Sequence, residues 1–197
     1  METVWFRPLV WLDYRLAVFF AVFLPVVILI WSLLTKTESI TRLLVIYWRV
    51  ASLLMITTYL MIPSWPIGFV SAVAAKILIP ISLWFWVDLN EEIRDLPDKG
   101  IKIFTTAWRW GVTIYFVVGA LANLPFLSCA FGKDVINTPF CQVWLEAPWK
   151  YKEIFHAGTR AGFLGFLGMV GLIFYVLYLG YFLFFRLGKQ GRSAIEQ

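Results

Sequence analysis

Three cationic side chains lie within or at the edge of long apolar stretches of this chain: Arg49, Lys76 and Arg109. None of them has an acidic residue beside it in the sequence. A positive charge in hydrocarbon needs a partner, so each of these residues indicates a contact with another group. We therefore predict that Arg49, Lys76 and Arg109 contact anionic lipids or a partner protein.

Arg49 and Arg109 share a sequence context, because Trp48 precedes the first and tryptophans stand on both sides of the second. Both are expected about 10 Å below the headgroups of one membrane face, at about 1.5 Å per residue. Two interpretations remain open. In one, the arginines extend to the headgroups, rest on tryptophan rings or pair with Asp88. In the other, they form a basic notch for an anionic lipid headgroup or a partner's carboxylate.

Lys76 lies near the middle of its apolar stretch, four residues before Pro80. Proline has no N–H, so the carbonyl of residue 76 loses its helical donor. A central lysine costs roughly 2.5–3.5 kcal/mol to insert, so it should face the bundle interior or an interface. Thr57 and Thr58 are the expected neighbours at this depth, and we expect no carboxylate there. Either Lys76 is uncharged, or another subunit or a ligand supplies the acid.

Four glycines recur every third residue in the last apolar stretch: Gly162, Gly165, Gly168 and Gly171. At about 3.6 residues per turn, this spacing leaves a smooth groove that suits close helix packing. The helix that carries this groove packs there either against a helix of the protein's own bundle or against another membrane protein.

The two cysteines, Cys129 and Cys141, lie on the longest polar connection, residues 125–161. If that connection faces an oxidising compartment, a disulfide between them is expected. Two unpaired cysteines are the alternative.

No catalytic grouping is recognisable in the sequence. His156 is the only histidine, which excludes bis-histidine haem and histidine-rich metal sites and leaves at most a single axial ligand. Residues 88–98 form one acidic cluster, whereas intramembrane prenyl transfer usually needs two such clusters facing one cavity. We predict no enzymatic activity, no metal and no cofactor.

Five apolar stretches must position these residues in a chain of 197 residues with 61% apolar content. About 20 apolar residues in a helix cross about 30 Å of hydrocarbon. We predict an all-α, polytopic transmembrane helical bundle that forms one domain over residues 1–197. The predicted spans are residues 16–35, 43–62, 67–87, 103–124 and 162–185.

Pro25 falls within the first span, where we expect a kink. Residues 4–11 alternate bulky apolar groups with one cation and are expected to lie flat at the interface.

The distribution of Lys and Arg predicts the orientation of the bundle, since five spans place the termini on opposite sides. The side with the C-terminus carries eight: Lys36, Arg42, Arg94, Lys99, Lys102, Arg186, Lys189 and Arg192. The other side carries six: Arg7, Arg15, Lys133, Lys150, Lys152 and Arg160. The positive-inside bias favours a cytoplasmic C-terminus. The cysteine connection would then face the periplasm or a lumen.

The net charge of +5 would suggest nucleic acid as the partner of a soluble protein. Here the basic residues cluster at the ends of the predicted spans. Topology and contact with anionic headgroups explain them, and we expect no nucleic-acid partner.

Five segments spread along the chain carry a family resemblance: residues 5–15, 47–52, 84–92, 162–168 and 186–193. They resemble an uncharacterised integral-membrane family of cyanobacteria, described as a domain of unknown function, and the likeness covers essentially the whole chain. The resemblance supplies no catalytic or ligand residues. It implies a setting in a cyanobacterial thylakoid or plasma membrane.

These observations favour a non-enzymatic integral membrane protein that associates with a photosynthetic-membrane protein complex or assists its assembly. Its expected partners are membrane lipids and other integral membrane proteins. The alternative is a small oligomeric transporter or channel for an anionic solute, with Lys76 and Pro80 marking a midplane site. A lipid-modifying enzyme is a third class, disfavoured by the single acidic cluster and the single histidine.

Overall fold

A computed structural model describes residues 4–132 and 134–194. Lys133, counted above among the basic residues, lies outside these ranges. Within them, five helices are long and apolar enough to cross a membrane. The prediction of an all-helical membrane protein with five spans is confirmed.

Seven helices of nine or more residues occur in the described part of the chain, and we number them in order. They are α1 Arg7–Leu34, α2 Glu38–Met61, α3 Ile67–Trp84, α4 Val87–Asp95, α5 Gly100–Asn123, α6 Glu146–Phe155 and α7 Ala161–Lys189. The apolar spans are α1, α2, α3, α5 and α7. Short helical turns extend the α5 span to Phe131 and connect it to α6.

Four of the spans form a ring, because α1 and α3 each pack against both α2 and α5. The centre of the ring is filled by side chains that are fully buried, among them Tyr47, Ile79 and Phe116. The last span, α7, lies outside the ring and packs mainly against α2. A large part of its surface therefore faces away from the bundle.

The first helix begins at Arg7, earlier than the predicted start at residue 16. Residues 7–11 are its first turns and not a separate interfacial segment. With 28 residues, α1 is about 42 Å long at 1.5 Å per residue. It is thus longer than a bilayer core of about 30 Å. Arg7, Asp13 and Arg15 consequently lie within this helix.

Pro25 is accommodated in α1 by a π-helical turn over Phe19–Phe23. Since Pro25 cannot donate to the carbonyl of Ala21, that oxygen needs another donor. Tyr47 of α2 supplies it, with Oη 2.7 Å from the oxygen. Trp108 of α5 donates in the same way to the carbonyl of Phe20, at 2.9 Å. Neighbouring helices thus satisfy backbone groups that hydrocarbon could not.

The two termini lie at opposite ends of the bundle. We call the end that contains the N-terminus the N-terminal end and the other the C-terminal end. At the N-terminal end, Arg7 forms an ion pair with Glu146 of α6 at 2.9 Å. At the C-terminal end, Arg192 donates to the carbonyl of Phe85 at 2.8 Å, and the backbone of Ala194 donates to a side-chain oxygen of Asp88 at 2.7 Å. These contacts agree with an odd number of spans. Which end is cytoplasmic stays a prediction.

Candidate functional site

Lys76 lies in the middle of α3, and its side chain is 6% exposed. Its ammonium donates to the carboxylate of Asp13 on α1, with Nζ 2.8 Å from Oδ2. Tyr115 of α5 donates to the other carboxylate oxygen, also at 2.8 Å. Three helices of the ring thus meet at one carboxylate, and the buried amine has an acid from its own chain.

The prediction that Lys76 lacks an acid is therefore wrong, and neither another subunit nor a ligand is needed to supply one. Asp13 lies before the predicted first span of residues 16–35, so the sequence does not indicate that it reaches Lys76. The early start of α1 puts it nearly two turns inside the helix, at about 3.6 residues per turn. Thr57, the expected neighbour, instead donates to Ser71 at 2.9 Å.

A cavity of about 640 Å³ lies beside this ion pair, lined by residues of α1, α2, α3, α5 and α6 and by the connection between α5 and α6. We call it the central cavity. Its lining on α2 runs from Trp48 to Met61, a length of about 20 Å at 1.5 Å per residue. Alanine, valine and aromatic side chains form most of the wall, and Asp13 and Lys76 are its charged residues. A few polar groups in a mostly apolar wall are typical of a small-molecule site.

Two tryptophans that line the central cavity, Trp48 and Trp144, have buried indole N–H groups. Neither N–H finds an acceptor in the described part of the chain. A buried donor without an acceptor costs about 1–3 kcal/mol, so such groups are uncommon in folded proteins. The Lys76 ammonium lies 5.8 Å from the centroid of the Trp144 ring.

Arg109 is 3% exposed and does not reach the membrane surface. It donates to the carbonyl of Leu83 at 2.6 Å and to the side-chain oxygen of Asn90, and it lies 4.1 Å from the Trp84 ring. The last carbonyls of a helix lack internal donors, and a cation there is also favoured by the helix dipole. Arg109 thus caps α3, and its predicted contact with lipid or a partner is wrong.

The following carbonyls at the end of α3 are capped as well. Asn90 of α4 donates to the carbonyl of Trp84 at 3.0 Å, and Arg192 of the C-terminal tail donates to that of Phe85. Asp88, the acid expected to pair with Arg109, accepts from the backbone of Ala194 instead. Three elements, α4, α5 and the C-terminal tail, therefore close the end of one helix.

Arg49 differs from the other two cations because it is exposed on the outside of α2. It donates only weakly to the hydroxyl of Tyr178 on α7, at 3.5 Å. Among the described residues, none of the ion pairs includes Arg49. Its predicted contact with an anionic lipid or a partner stays a prediction.

Gly168 and Gly171 face α2, and Gly165 faces Pro63 in the turn that follows α2. A Cβ on Gly168 would lie 3.1 Å from the backbone nitrogen of Leu60, so only glycine allows this approach. Gly162 has nothing within 4 Å of such a Cβ. The groove therefore packs within the protein's own bundle, and these three positions are not free for another protein.

Cys129 and Cys141 form a disulfide and are both fully buried. The bond fixes the connection between α5 and α6, which folds over the N-terminal end of the bundle. Tyr14 of α1 donates to the carbonyl of Trp144 at 2.6 Å, which ties this connection to the ring. The disulfide thus helps to hold Trp144 over the central cavity.

The single histidine and the acidic segment have ordinary partners. His156 Nε2 lies 2.9 Å from the Tyr59 hydroxyl. Asp98 is paired with Lys102, and this hydrogen bond and charge hold the pKa of the Asp98 carboxyl below its usual value. Within the described ranges, no three His, Cys, Asp or Glu residues are grouped to hold a metal.

Comparison with known protein families gives one match, which spans nearly the whole chain. The family is described as "Protein of unknown function (DUF3177)", and its model matches residues 7–195. The chain belongs to the DUF3177 family. No curated protein and no solved structure gives a significant match. The function of this DUF3177 protein must therefore be argued from its own residues.

Sequence analysis of this DUF3177 protein missed Asp13 and Tyr115, because one precedes the apolar stretch and the other is a single aromatic among many. A usable signal was Pro8, since proline is favoured in the first turn of a helix, where its missing N–H costs nothing. It indicates that α1 begins near residue 7. Nothing local marks Trp48 or Trp144 as lining a cavity.

Proposed function

We propose that this DUF3177 protein is a non-enzymatic integral membrane protein that binds an elongated, mostly apolar molecule in its central cavity. It does so as a partner or assembly factor of a photosynthetic-membrane protein complex. The observation that carries the proposal is the central cavity itself, with one ion pair in a mostly apolar wall.

The lining defines the chemistry of the ligand. A volume of about 640 Å³ lies within the range of roughly 300–1,000 Å³ that is usual for ligand sites. The length of about 20 Å along α2 favours an extended chain or a narrow ring system. The side-chain amide of Asn123 also lines the cavity and can donate hydrogen bonds, so the ligand should carry carbonyl, hydroxyl or ether oxygens.

Binding is favoured over catalysis by the way the ionisable groups are used. Asp13 and Lys76 neutralise one another at 2.8 Å, and the Tyr115 hydroxyl donates to the same carboxylate. A general base or a nucleophile needs a free lone pair aimed at the substrate. These three groups are directed at each other.

The proposed association with a photosynthetic-membrane complex rests on the resemblance to a cyanobacterial family. The structure supplies a surface for such an association in α7, which packs on α2 along a narrow glycine face. On its other faces large aromatic side chains are exposed: Phe174 is 68% exposed and Phe184 is 82% exposed. Aromatic groups of this kind pack well against another membrane helix, and lipid is the other occupant that a test must distinguish.

Ligand binding is tested by purifying the full chain from its native membrane in mild detergent and extracting it with organic solvent. Mass spectrometry should find one apolar, oxygen-containing molecule in near-stoichiometric amount. Ala17→Phe, which fills the cavity wall, should remove that molecule. Val118→Phe on the exposed side of α5 should keep it. The same extract from both variants would refute cavity binding.

Association is tested separately by native gel electrophoresis of mildly solubilised membranes. The protein should comigrate with a larger complex, and Phe174→Ala on α7 should weaken the comigration. Migration of the wild-type chain alone would refute association and leave the ligand proposal intact.

One observation supports the alternative of a transporter: the central cavity reaches Lys76 in the middle of its span. An anionic solute would, however, have to displace the Asp13 carboxylate from the amine. Lys76→Ala should abolish solute flux in proteoliposomes if the protein is such a transporter. Flux that persists unchanged in this variant would remove the alternative.

A further inference from the structure

A second cavity, of about 410 Å³, lies at the C-terminal end between α2, α3 and α7. We call it the arginine groove. Its walls are mostly apolar and include Val45, Ile81 and Phe182, while Arg42, Arg49 and Arg186 are its basic residues. The residues described for the arginine groove and for the central cavity do not overlap. The groove is therefore a separate site.

The positive charge in the groove exceeds the acid that Arg42 and Arg49 find within the described chain. Arg42 is paired with Glu92 at 2.7 Å, but its Nε is buried and has no acceptor among the described residues. Arg49 has only the neutral hydroxyl of Tyr178, at 3.5 Å. Together they leave one unneutralised charge and one orphaned donor along the same groove.

The positions of these groups match the two parts of a phospholipid. Arg49 follows Arg42 by seven residues on α2, so it lies about 10 Å deeper at 1.5 Å per residue. The lining on α7 runs from Tyr175 to Arg186, about 16 Å on the same scale. The Arg49 side chain inclines toward the N-terminus of α2, and so toward Arg42. Beyond Arg49 the lining consists of apolar and aromatic side chains, namely Val50, Leu78 and Tyr175.

We propose that the arginine groove binds one anionic phospholipid. Its phosphate contacts Arg49 and Arg42, and one acyl chain continues past Arg49 along Val50, Leu78 and Tyr175. Arginine suits this role because its planar guanidinium can donate two hydrogen bonds to one phosphate. A free phosphate would use the guanidinium groups but not the apolar wall. A lipid uses both, and it reaches Arg49 without leaving the membrane.

The test uses the full chain, purified and exchanged into nanodiscs of phosphatidylcholine with or without phosphatidylglycerol. Native mass spectrometry should detect one retained phosphatidylglycerol, held about tenfold more strongly than phosphatidylcholine, whose phosphate charge is balanced by its own choline cation. Arg49→Gln should remove this preference. Arg94→Gln, which removes the same charge from a side chain that is 73% exposed on α4, should leave it unchanged.

Two further variants keep the proposal open to refutation if Arg49→Gln does not fold. Arg49→Lys retains the charge and should retain most of the preference for phosphatidylglycerol. Leu78→Trp fills the apolar wall without changing charge and should reduce retention of both lipids. Equal losses in Arg49→Gln and Arg94→Gln would show general surface attraction and overturn the site. Release of the lipid by excess inorganic phosphate would overturn the lipid assignment.

Discussion

Asp13 and Lys76 form an ion pair between α1 and α3, with Nζ 2.8 Å from Oδ2, although they are 63 positions apart in the chain. Tyr115 occupies the other oxygen of the same carboxylate. This arrangement lets a lysine remain in the middle of a membrane span without a ligand. It also fixes how α1 and α3 are rotated toward each other, and with that the charged wall of the central cavity.

Removing one member of this pair should destabilise the protein more than removing both. Lys76→Met leaves a carboxylate in the bundle without its cation, which costs about 3–5 kcal/mol for a buried pair. Asp13→Asn combined with Lys76→Met should recover much of that loss. Thermal unfolding of the two single variants and the double variant in detergent measures the coupling.

The exposed pair Lys150–Glu153, whose side chains are 59% and 60% exposed, is the control for this cycle. Its single and double variants should differ by about 1 kcal/mol at most. Strictly additive losses for Asp13 and Lys76 would contradict the pairing.

Tyr47→Phe should destabilise the bundle because it removes the donor to the Ala21 carbonyl beside Pro25. A buried acceptor left without a donor costs about 1–3 kcal/mol. Tyr181→Phe removes a hydroxyl from a side chain that is 58% exposed and should have little effect. Comparable unfolding temperatures for the two variants would argue against this role of Tyr47.

Two glycine-to-alanine variants of α7 should change the stability of the protein in opposite directions. At Gly180 a Cβ meets nothing within 4 Å, so the alanine should stabilise the helix by about 0.5–1 kcal/mol. At Gly168 the new Cβ would lie 3.0 Å from Cβ of Tyr59 and must push α7 away from α2. Thermal unfolding separates the outcomes, and stabilisation by Gly168→Ala would refute the close packing.

Replacement of both cysteines by serine should lower stability by about 2–4 kcal/mol, as is typical for loss of a native disulfide. Cys129 and Cys141 are separated by 12 positions, so their bond closes a short loop over the N-terminal end. Reductant should lower the unfolding temperature of the wild type but not that of the double variant. Alkylation of both cysteines in unreduced protein would contradict the bond.

The five spans could be predicted from the sequence because hydrocarbon requires about 20 apolar residues per helix. The partners of the buried cations could not, since they depend on which helices become neighbours. Asp13 was excluded from the first span by its charge, and the same charge is what Lys76 requires. Arg109 caps a carbonyl of Leu83 that becomes available only because the chain turns from α3 into α4.

The glycine spacing correctly indicated close helix packing but could not identify the neighbouring helix. The disulfide was expected because both cysteines share one polar connection. The central cavity had no counterpart in the sequence analysis, since its wall is made of single residues from distant segments.

The ion pair also constrains the order of events during biosynthesis. The α1 helix reaches the translocon carrying Asp13 long before the ribosome has made Lys76. Until then its carboxylate has to stay hydrated near the lipid surface, because an uncompensated charge within the bilayer costs several kcal/mol. The first helix can therefore settle at its final depth only after the third has been inserted.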